Sequence, residues 1–157
     1  MSDPNKSSLG KALEALLDDA TRSEHAPGLL EASYGGARVQ AEIVDVDRLG
    51  VIVERLRVQA GSGDLEGQAE RIAQTVRPAG QQLRAVEVDT RLHGGVLRTT
   101  AEHMVGGRFY QVGIDAQGAE LTRHHKDEDG RRVRERFTLT REHLGRLVDE
   151  LSEALED

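Results

Sequence analysis

The sequence predicts an α+β domain in which an antiparallel β-sheet of about six to eight strands packs with three amphipathic helices. Three segments carry apolar residues at helical spacing, and the segments between them alternate apolar with polar residues and are separated by glycine turns. The length of 157 residues and the 37% hydrophobic content suit one globular domain. We therefore expect a single domain over residues 7–157, preceded by a disordered tail over residues 1–6.

The three helices are expected where apolar residues recur every three or four positions. The first helix follows an N-cap at Ser7 or Ser8 and ends at residues 25–28; its stripe comprises Leu9, Leu13, Leu16, Leu17 and Ala20. The second follows a cap at Asp64 and ends at residues 78–80; its stripe comprises Leu65, Ala69, Ile72, Ala73 and Val76. The third follows a cap at Thr140; its stripe comprises Leu144, Leu147, Val148, Leu151 and Leu155.

The remaining segments are expected to form strands. Residues 39–43 and 52–58 each place apolar side chains on one parity, on either side of a turn at residues 47–50, and a weaker strand is expected at residues 30–34. Between residues 82 and 139, alternating runs are separated by glycines at 94–95, 106–107, 118 and 130. This spacing is typical of an antiparallel meander, so the C-terminal half is expected to be meander-like, with the helices on one face.

Composition and charge exclude several classes of function. The chain has no cysteine, which excludes disulfides, thiolate nucleophiles and cysteine zinc sites. Its net charge of −7 disfavours general binding of polyanions, although a local basic patch can still bind one. No apolar run approaches the roughly 18 residues that a membrane span needs, and the first residues do not resemble a signal peptide. We therefore expect a cytoplasmic protein with no membrane partner.

The candidate motifs for chemistry have simpler structural interpretations. The glycine-rich segment at residues 61–64 lacks the remaining residues of a phosphate-binding loop, and the Asp64 carboxylate would occupy the phosphate position. His124 and His125 precede an acidic hairpin tip at residues 127–129, but adjacent strand residues point to opposite faces and so cannot bind one ion. No nucleophile is paired with a base. We expect no catalytic residue, no metal and no cofactor.

The most informative feature is the arginine-rich strand after this tip, at residues 131–137. Alternation sends Arg132, Arg134 and Arg136 to one face of the sheet. A hairpin closed near residues 127–130 would place Arg123 and His125 of the preceding strand roughly opposite them. These five residues form a predicted basic stripe that can contact phosphates or an acidic protein surface. The alternative is a solvated face whose charges are relieved by nearby carboxylates, including those of the last helix.

The function predicted from these features is that of a non-enzymatic protein-interaction module, such as an adaptor, a secretion-chaperone-like protein or a regulatory subunit. The element order is similar to that of the small acidic homodimeric chaperones of type III secretion systems, although no residues are shared. The alternative is a nucleic-acid-binding protein that uses the arginine-bearing sheet face, since the meander followed by a helix is similar in outline to single-strand binders. An enzyme whose residues assemble only in three dimensions ranks last. The edge strands also predict a homodimer.

Overall fold

The computed structural model describes residues 7–23, 27–61 and 63–156, so the expected tail at residues 1–6 lies outside the described residues. Within these ranges the chain forms three α-helices and one antiparallel sheet of nine strands, which confirms the α+β class and the meander-like C-terminal half. The helices are α1 (Leu9–Arg22), α2 (Leu65–Thr75) and α3 (Arg141–Leu155). The strands are β1 (Gly28–Tyr34), β2 (Ala37–Val46), β3 (Gly50–Gln59), β4 (Leu83–Asp89), β5 (Gly94–Thr99), β6 (Arg108–Ile114), β7 (Gly118–Lys126), β8 (Arg132–Glu135) and β9 (Phe137–Thr140).

The sheet follows the order β1-β2-β3-β7-β6-β5-β4, which makes β1 and β4 its edges. Strands β3 and β7 pair only from Leu56 opposite Leu121 to Gln59 opposite Gly118. Beyond this stretch they separate, and the gap between them is filled by β8 paired with β7 and by β9 paired with β3. The chain from β8 to β9 therefore enters the gap along β7 and leaves it along β3.

The single strand predicted across residues 131–137 is wrong, because the chain breaks at Arg136 between β8 and β9. A bulge in β3 accounts for the gap that β8 and β9 occupy. Val53 lies opposite Ile43 and Arg55 lies opposite Glu42, so Glu54 has no partner in the ladder. Such an extra residue bends and twists its strand, which separates the first half of β3 from β7.

The three helices cover one face of the sheet and enclose the core. Helix α1 packs on β1 and β2, α2 packs on β4 and β5, and α3 lies between them against β3, β7 and β9. The sheet contributes alternate buried residues such as Val39 and Ala41 of β2, and the helices contribute their leucine stripes. Tyr110 and Phe137 meet edge to face in this core, with ring centroids 5.5 Å apart.

All three helix caps predicted from the sequence are present. The side chains of Ser8, Asp64 and Thr140 accept hydrogen bonds from the backbone N–H groups of Lys11 (3.2 Å), Gly67 (2.9 Å) and His143 (3.1 Å), respectively. Each cap satisfies a donor that the first helical turn leaves without a partner. None of the helices in the described ranges is long and apolar enough to cross a membrane.

Candidate functional site

The face of the sheet opposite the helices carries mostly polar and charged side chains, and no helix of the described residues packs on it. We call it the open face. The strand registers place fourteen principal side chains on it: Arg38, Gln40 and Glu42 of β2; Arg55 and Arg57 of β3; Arg84 of β4; Arg98 of β5; Phe109 and Gln111 of β6; Glu120, Thr122 and His124 of β7; Arg132 and Arg134 of β8.

The predicted basic stripe does not form as expected, because its members are divided between the two faces. Arg123 lies opposite Glu135 and His125 lies opposite Val133, whereas Arg134 lies opposite His124. The hairpin loop spans residues 127–131 rather than 127–130, and the Asp127 backbone N–H donates to the Arg131 carbonyl at 2.9 Å. A change of one residue in the register moves every side chain to the other face. Arg132 and Arg134 therefore share the open face with His124.

On the helix-side face, the predicted site residues Arg123 and His125 surround a carboxylate. Glu135 Oε1 lies 3.2 Å from Arg123 Nε and 3.6 Å from Arg108 Nε, and Glu135 Oε2 lies 3.1 Å from His125 Nδ1. The two arginine contacts are ion pairs, and neither Arg123 Nε nor His125 Nδ1 makes a well-aligned hydrogen bond to the carboxylate. The guanidinium of Arg123 also lies 5.1 Å from the centroid of the Tyr110 ring. Both predicted residues are thus already engaged within the chain.

Arg136, the last member of the predicted stripe, pairs with the bulged residue of β3. Its Nε donates to Glu54 Oε1 at 2.7 Å, and Arg134 Nη2 lies 3.9 Å from the other oxygen of the same carboxylate. Glu54 therefore joins β3 to the break between β8 and β9. Arg136 thus pairs with Glu54 at this junction. Arg132 is then the one member of the predicted stripe that makes no ion pair among the described residues.

The open face contains one buried aromatic ring, which sequence reasoning did not single out. Only 4% of the Phe109 surface is exposed, although Phe109 lies on the face opposite the core. The His124 ring stacks on it with a centroid distance of 5.6 Å and an angle of 20° between the planes. The guanidinium carbons of Arg98 and Arg132 each lie 5.7 Å from its centroid, within the range of cation–π contacts.

Hydrogen bonds fix the polar side chains around this ring. Gln111 Oε1 accepts from Arg98 Nε at 3.0 Å and from Arg132 Nη1 at 3.4 Å, so one neutral oxygen bridges the two cations. His124 Nε2 lies 2.9 Å from the Thr122 hydroxyl. Burial, together with the charges of nearby arginines, lowers the pKa of His124. We call Arg98, Phe109, Gln111, His124 and Arg132 the Phe109 cluster.

The Phe109 cluster differs from the rest of the open face in its charge balance. Arg55 pairs with Glu42 at 2.8 Å and with Glu120 at 3.0 Å, and Arg57 pairs with Asp115 at 2.9 Å. Neither Arg98 nor Arg132 makes an ion pair with any carboxylate of the described residues. Burial and the positive charge of Arg132 lower the pKa of Arg98, and the charge of the Glu87 carboxylate opposes part of this shift.

Arg84 of the edge strand adds a further positive charge to this end of the open face. It lies directly opposite Arg98 in the register of β4 and β5, and it too lacks an ion pair with the described carboxylates. Like charges directly opposite one another in a sheet are destabilising unless another group relieves them. Three arginines thus give this end of the face a positive charge that forms no ion pair with the described carboxylates.

The other end of the open face is acidic and concave. A depression of about 370 Å³ lies beside the turns that join β4 to β5 and β6 to β7. Its charged lining comprises Glu87, Asp89, Asp115, Glu120 and Arg57. The uncharged part of the lining comprises the backbone of Gly94, Gly95 and Gly113 and the residues Leu92, Val96 and Ile114. Charge is therefore segregated along the strands, with a basic end around Phe109 and an acidic end around this depression.

Within the described ranges, no three histidine or carboxylate side chains are grouped so that they could hold a metal ion. Comparisons with protein-family models, with curated proteins and with solved structures found no match to this chain.

Proposed function

We propose that this protein is a non-enzymatic protein-interaction module, of the adaptor, secretion-chaperone-like or regulatory kind, and that it binds its partner through the open face at the Phe109 cluster. One observation carries the proposal. Two arginines are held against a buried aromatic ring on a face without helices, and neither has a carboxylate partner among the described residues. An acidic side chain of a partner would supply the missing charge.

The arrangement suits a carboxylate for physical reasons. A guanidinium presents a planar set of donors that matches two carboxylate oxygens, and a charge-assisted bond is stronger than a neutral one. The ring of Phe109 and the amide of Gln111 hold both guanidiniums in place before any partner arrives. Since less side-chain freedom is lost on binding, a larger share of the interaction energy remains as affinity.

The same face argues against the nucleic-acid alternative. Proteins that bind single strands combine a basic track with aromatic rings on which bases stack. Phe109 is only 4% exposed, and the acidic depression lies on the same face, where it would repel a phosphate backbone. The net charge of −7 acts in the same direction. A protein segment, which can carry both signs of charge, fits this face better.

The proposal is tested by affinity capture from native lysate with the full chain, in nuclease-treated and untreated halves. The variant Arg98→Glu/Arg132→Glu is compared with Arg22→Glu/Arg48→Glu, which makes the same charge change at two exposed arginines away from the open face. We expect a nuclease-insensitive protein partner that the first variant loses and the second retains. Retention by both variants would refute the open face as the binding surface, and nuclease-sensitive capture would favour nucleic acid.

A second variant, which preserves the charge of both arginines, helps to separate an effect on binding from an effect on folding. Arg98→Lys/Arg132→Lys keeps both positive charges but loses the planar donor geometry, so capture should fall without disappearing. Urea unfolding of each variant shows whether the fold is retained.

The predicted homodimer remains a separate proposal, which rests on the unpaired edges of β1 and β4. Light scattering at micromolar concentration would refute it by giving the mass of one chain.

A further inference from the structure

We propose that the open face binds an extended protein segment that carries an acidic and a basic side chain four residues apart. This inference rests on the proposed function and names the chemistry of the partner. The acidic side chain would lie between Arg98 and Arg132, and the basic one would enter the acidic depression at the other end of the face. The observations that support it are the separation of the two charges and the geometry that joins them.

The distance between the two ends follows from the strand register. Phe109 lies opposite His124 at the basic end, and Gly113 lies opposite Glu120 at the acidic end. These two pairs are four residues apart on β6, which corresponds to about 13 Å. Because four is an even number, both pairs lie on the same face of the sheet. An extended segment with the same strand rise would place residues i and i+4 over the two ends, facing the same way.

The acidic end has carboxylate charge that its own cations do not fully balance. Arg57 pairs with Asp115, and Glu120 shares Arg55 with Glu42. Glu87 makes no ion pair within the described part of the chain, although its charge acts at longer range on Arg98. Gly113 presents only backbone to this part of the face, and a Cβ built there would meet nothing within 4 Å. The depression therefore has both space and negative charge for a cationic side chain.

A lysine or arginine side chain also matches the apolar part of this lining. Leu92 and Val96 lie beside the carboxylates in the same depression. Long basic side chains place their methylene stems along such apolar surface while the charged head stays near water and counter-ions. The acidic end alone would attract any cation. It is the basic end at a fixed distance on the same face that specifies a segment with both charges.

The test uses synthetic threonine-rich peptides that carry a fluorescent label and adopt extended conformations readily. The spaced peptide has one glutamate and one lysine separated by three threonines, and the adjacent peptide has the same composition with the two charges side by side. A third, acid-only peptide has threonine in place of lysine. Fluorescence anisotropy with the full chain measures the affinity of each peptide. We expect the spaced peptide to bind about fivefold more tightly than the other two, which is the gain in affinity expected from one partly screened ion pair.

Variants of the protein assign the two ends. Glu87→Gln/Glu120→Gln should reduce binding of the spaced peptide to the level of the acid-only peptide and should not weaken binding of the acid-only peptide. Glu66→Gln/Glu142→Gln, which removes two exposed carboxylates from the first turns of α2 and α3, is the matched control and should change neither. Arg98→Glu/Arg132→Glu should abolish binding of every peptide.

The outcomes separate this inference from the proposed function. Equal affinity for the spaced and adjacent peptides, or no binding of either at millimolar concentration, would overturn the inference even if lysate capture still depends on Arg98 and Arg132. If capture does not depend on these arginines, the proposed function itself fails. The comparison of peptides uses the unaltered protein, so it decides the matter even if the Glu87→Gln/Glu120→Gln variant folds poorly.

Discussion

Replacing Gly10 with alanine tests the close crossing of α1 and α3, on which the arrangement of the helices depends. A Cβ at Gly10 would lie 2.3 Å from the Gly145 carbonyl oxygen and 2.8 Å from Asp149 Oδ2, whereas ordinary contacts begin at 3.4 Å. The two helices would therefore have to separate by roughly 1 Å. Overpacking of this kind costs about 1–3 kcal/mol, of which alanine's better helix propensity returns up to about 1 kcal/mol.

The same substitution on the facing helix should not destabilise the protein. A Cβ at Gly145 would meet Glu14 Oε1 at 2.8 Å, but this oxygen ends a flexible, partly exposed side chain that can move away. Gly145→Ala should therefore be neutral or stabilise the protein by up to about 1 kcal/mol. Urea unfolding of the full chain measures both variants through their midpoints at constant slope. A Gly10→Ala protein that is at least as stable as the unaltered protein would refute the close crossing.

Four further substitutions and conditions test other parts of the structure. Asp149→Ala removes the acceptor of the Gly10 N–H (2.8 Å) and the Ser8 hydroxyl (2.9 Å), and should lower the urea-unfolding free energy by about 1–2 kcal/mol. Glu135→Gln leaves three cationic or polar side chains without their shared carboxylate and should cost about 1–3 kcal/mol in the same assay, whereas no loss would contradict that cluster. Phe109→Ala should cost about 3 kcal/mol by urea unfolding despite lying on the open face, because its ring is buried there. Burial lowers the pKa of His143, whose Nε2 accepts a hydrogen bond from the Ala79 N–H at 2.8 Å, so near this pKa the folded state binds fewer protons than the unfolded state. The unfolding free energy should therefore be highest above the ordinary histidine pKa of about 6.5 and should decrease as the pH falls below it. The decrease should be smaller for His143→Asn.

The helices and their caps could be predicted because the signals for them are local. Thr140 is followed within one turn by the start of a leucine stripe, and its hydroxyl accepts the bond that the pattern predicts. Edge strand β4 is a partial exception, since Val86 and Val88 alternate as in a half-buried strand but are 50% and 36% exposed. Val86 is the extra residue of a bulge and has no partner in the ladder with β5. Alternation alone reveals neither this bulge nor the position of β4 at the edge of the sheet.

The placement of the basic residues could not be predicted, because it depends on one residue in a hairpin loop. A loop over residues 127–130 would have put Arg123 and His125 with the arginine row, and the observed loop over residues 127–131 puts them on the other face. Asp127 stabilises the longer loop by accepting hydrogen bonds from the Asp129 and Arg131 N–H groups. Side-chain alternation does not determine the length of such a loop.

The Phe109 cluster was out of reach for a different reason. Its members come from β5, β6, β7 and β8, which become neighbours only once the order of strands in the sheet is known. Phe109 and Tyr110 are adjacent residues of one strand, so they must face opposite sides of the sheet. The sequence does not show which of these two rings faces arginines without an ion pair. That depends on where the carboxylates of the open face lie, which follows from the register of several strands together.

The most direct test of the Phe109 cluster as the binding surface is an NMR titration of the isotopically labelled full chain with the protein partner recovered by affinity capture. The side-chain Nε–H signals of arginines report their own contacts, so each guanidinium is observed separately. We expect the largest changes at Arg98 and Arg132 and in the backbone amides of β6 and β7 around Phe109, with α1 and α3 nearly unchanged. Changes confined to the helices, with both arginine signals in place, would contradict the assignment of the open face.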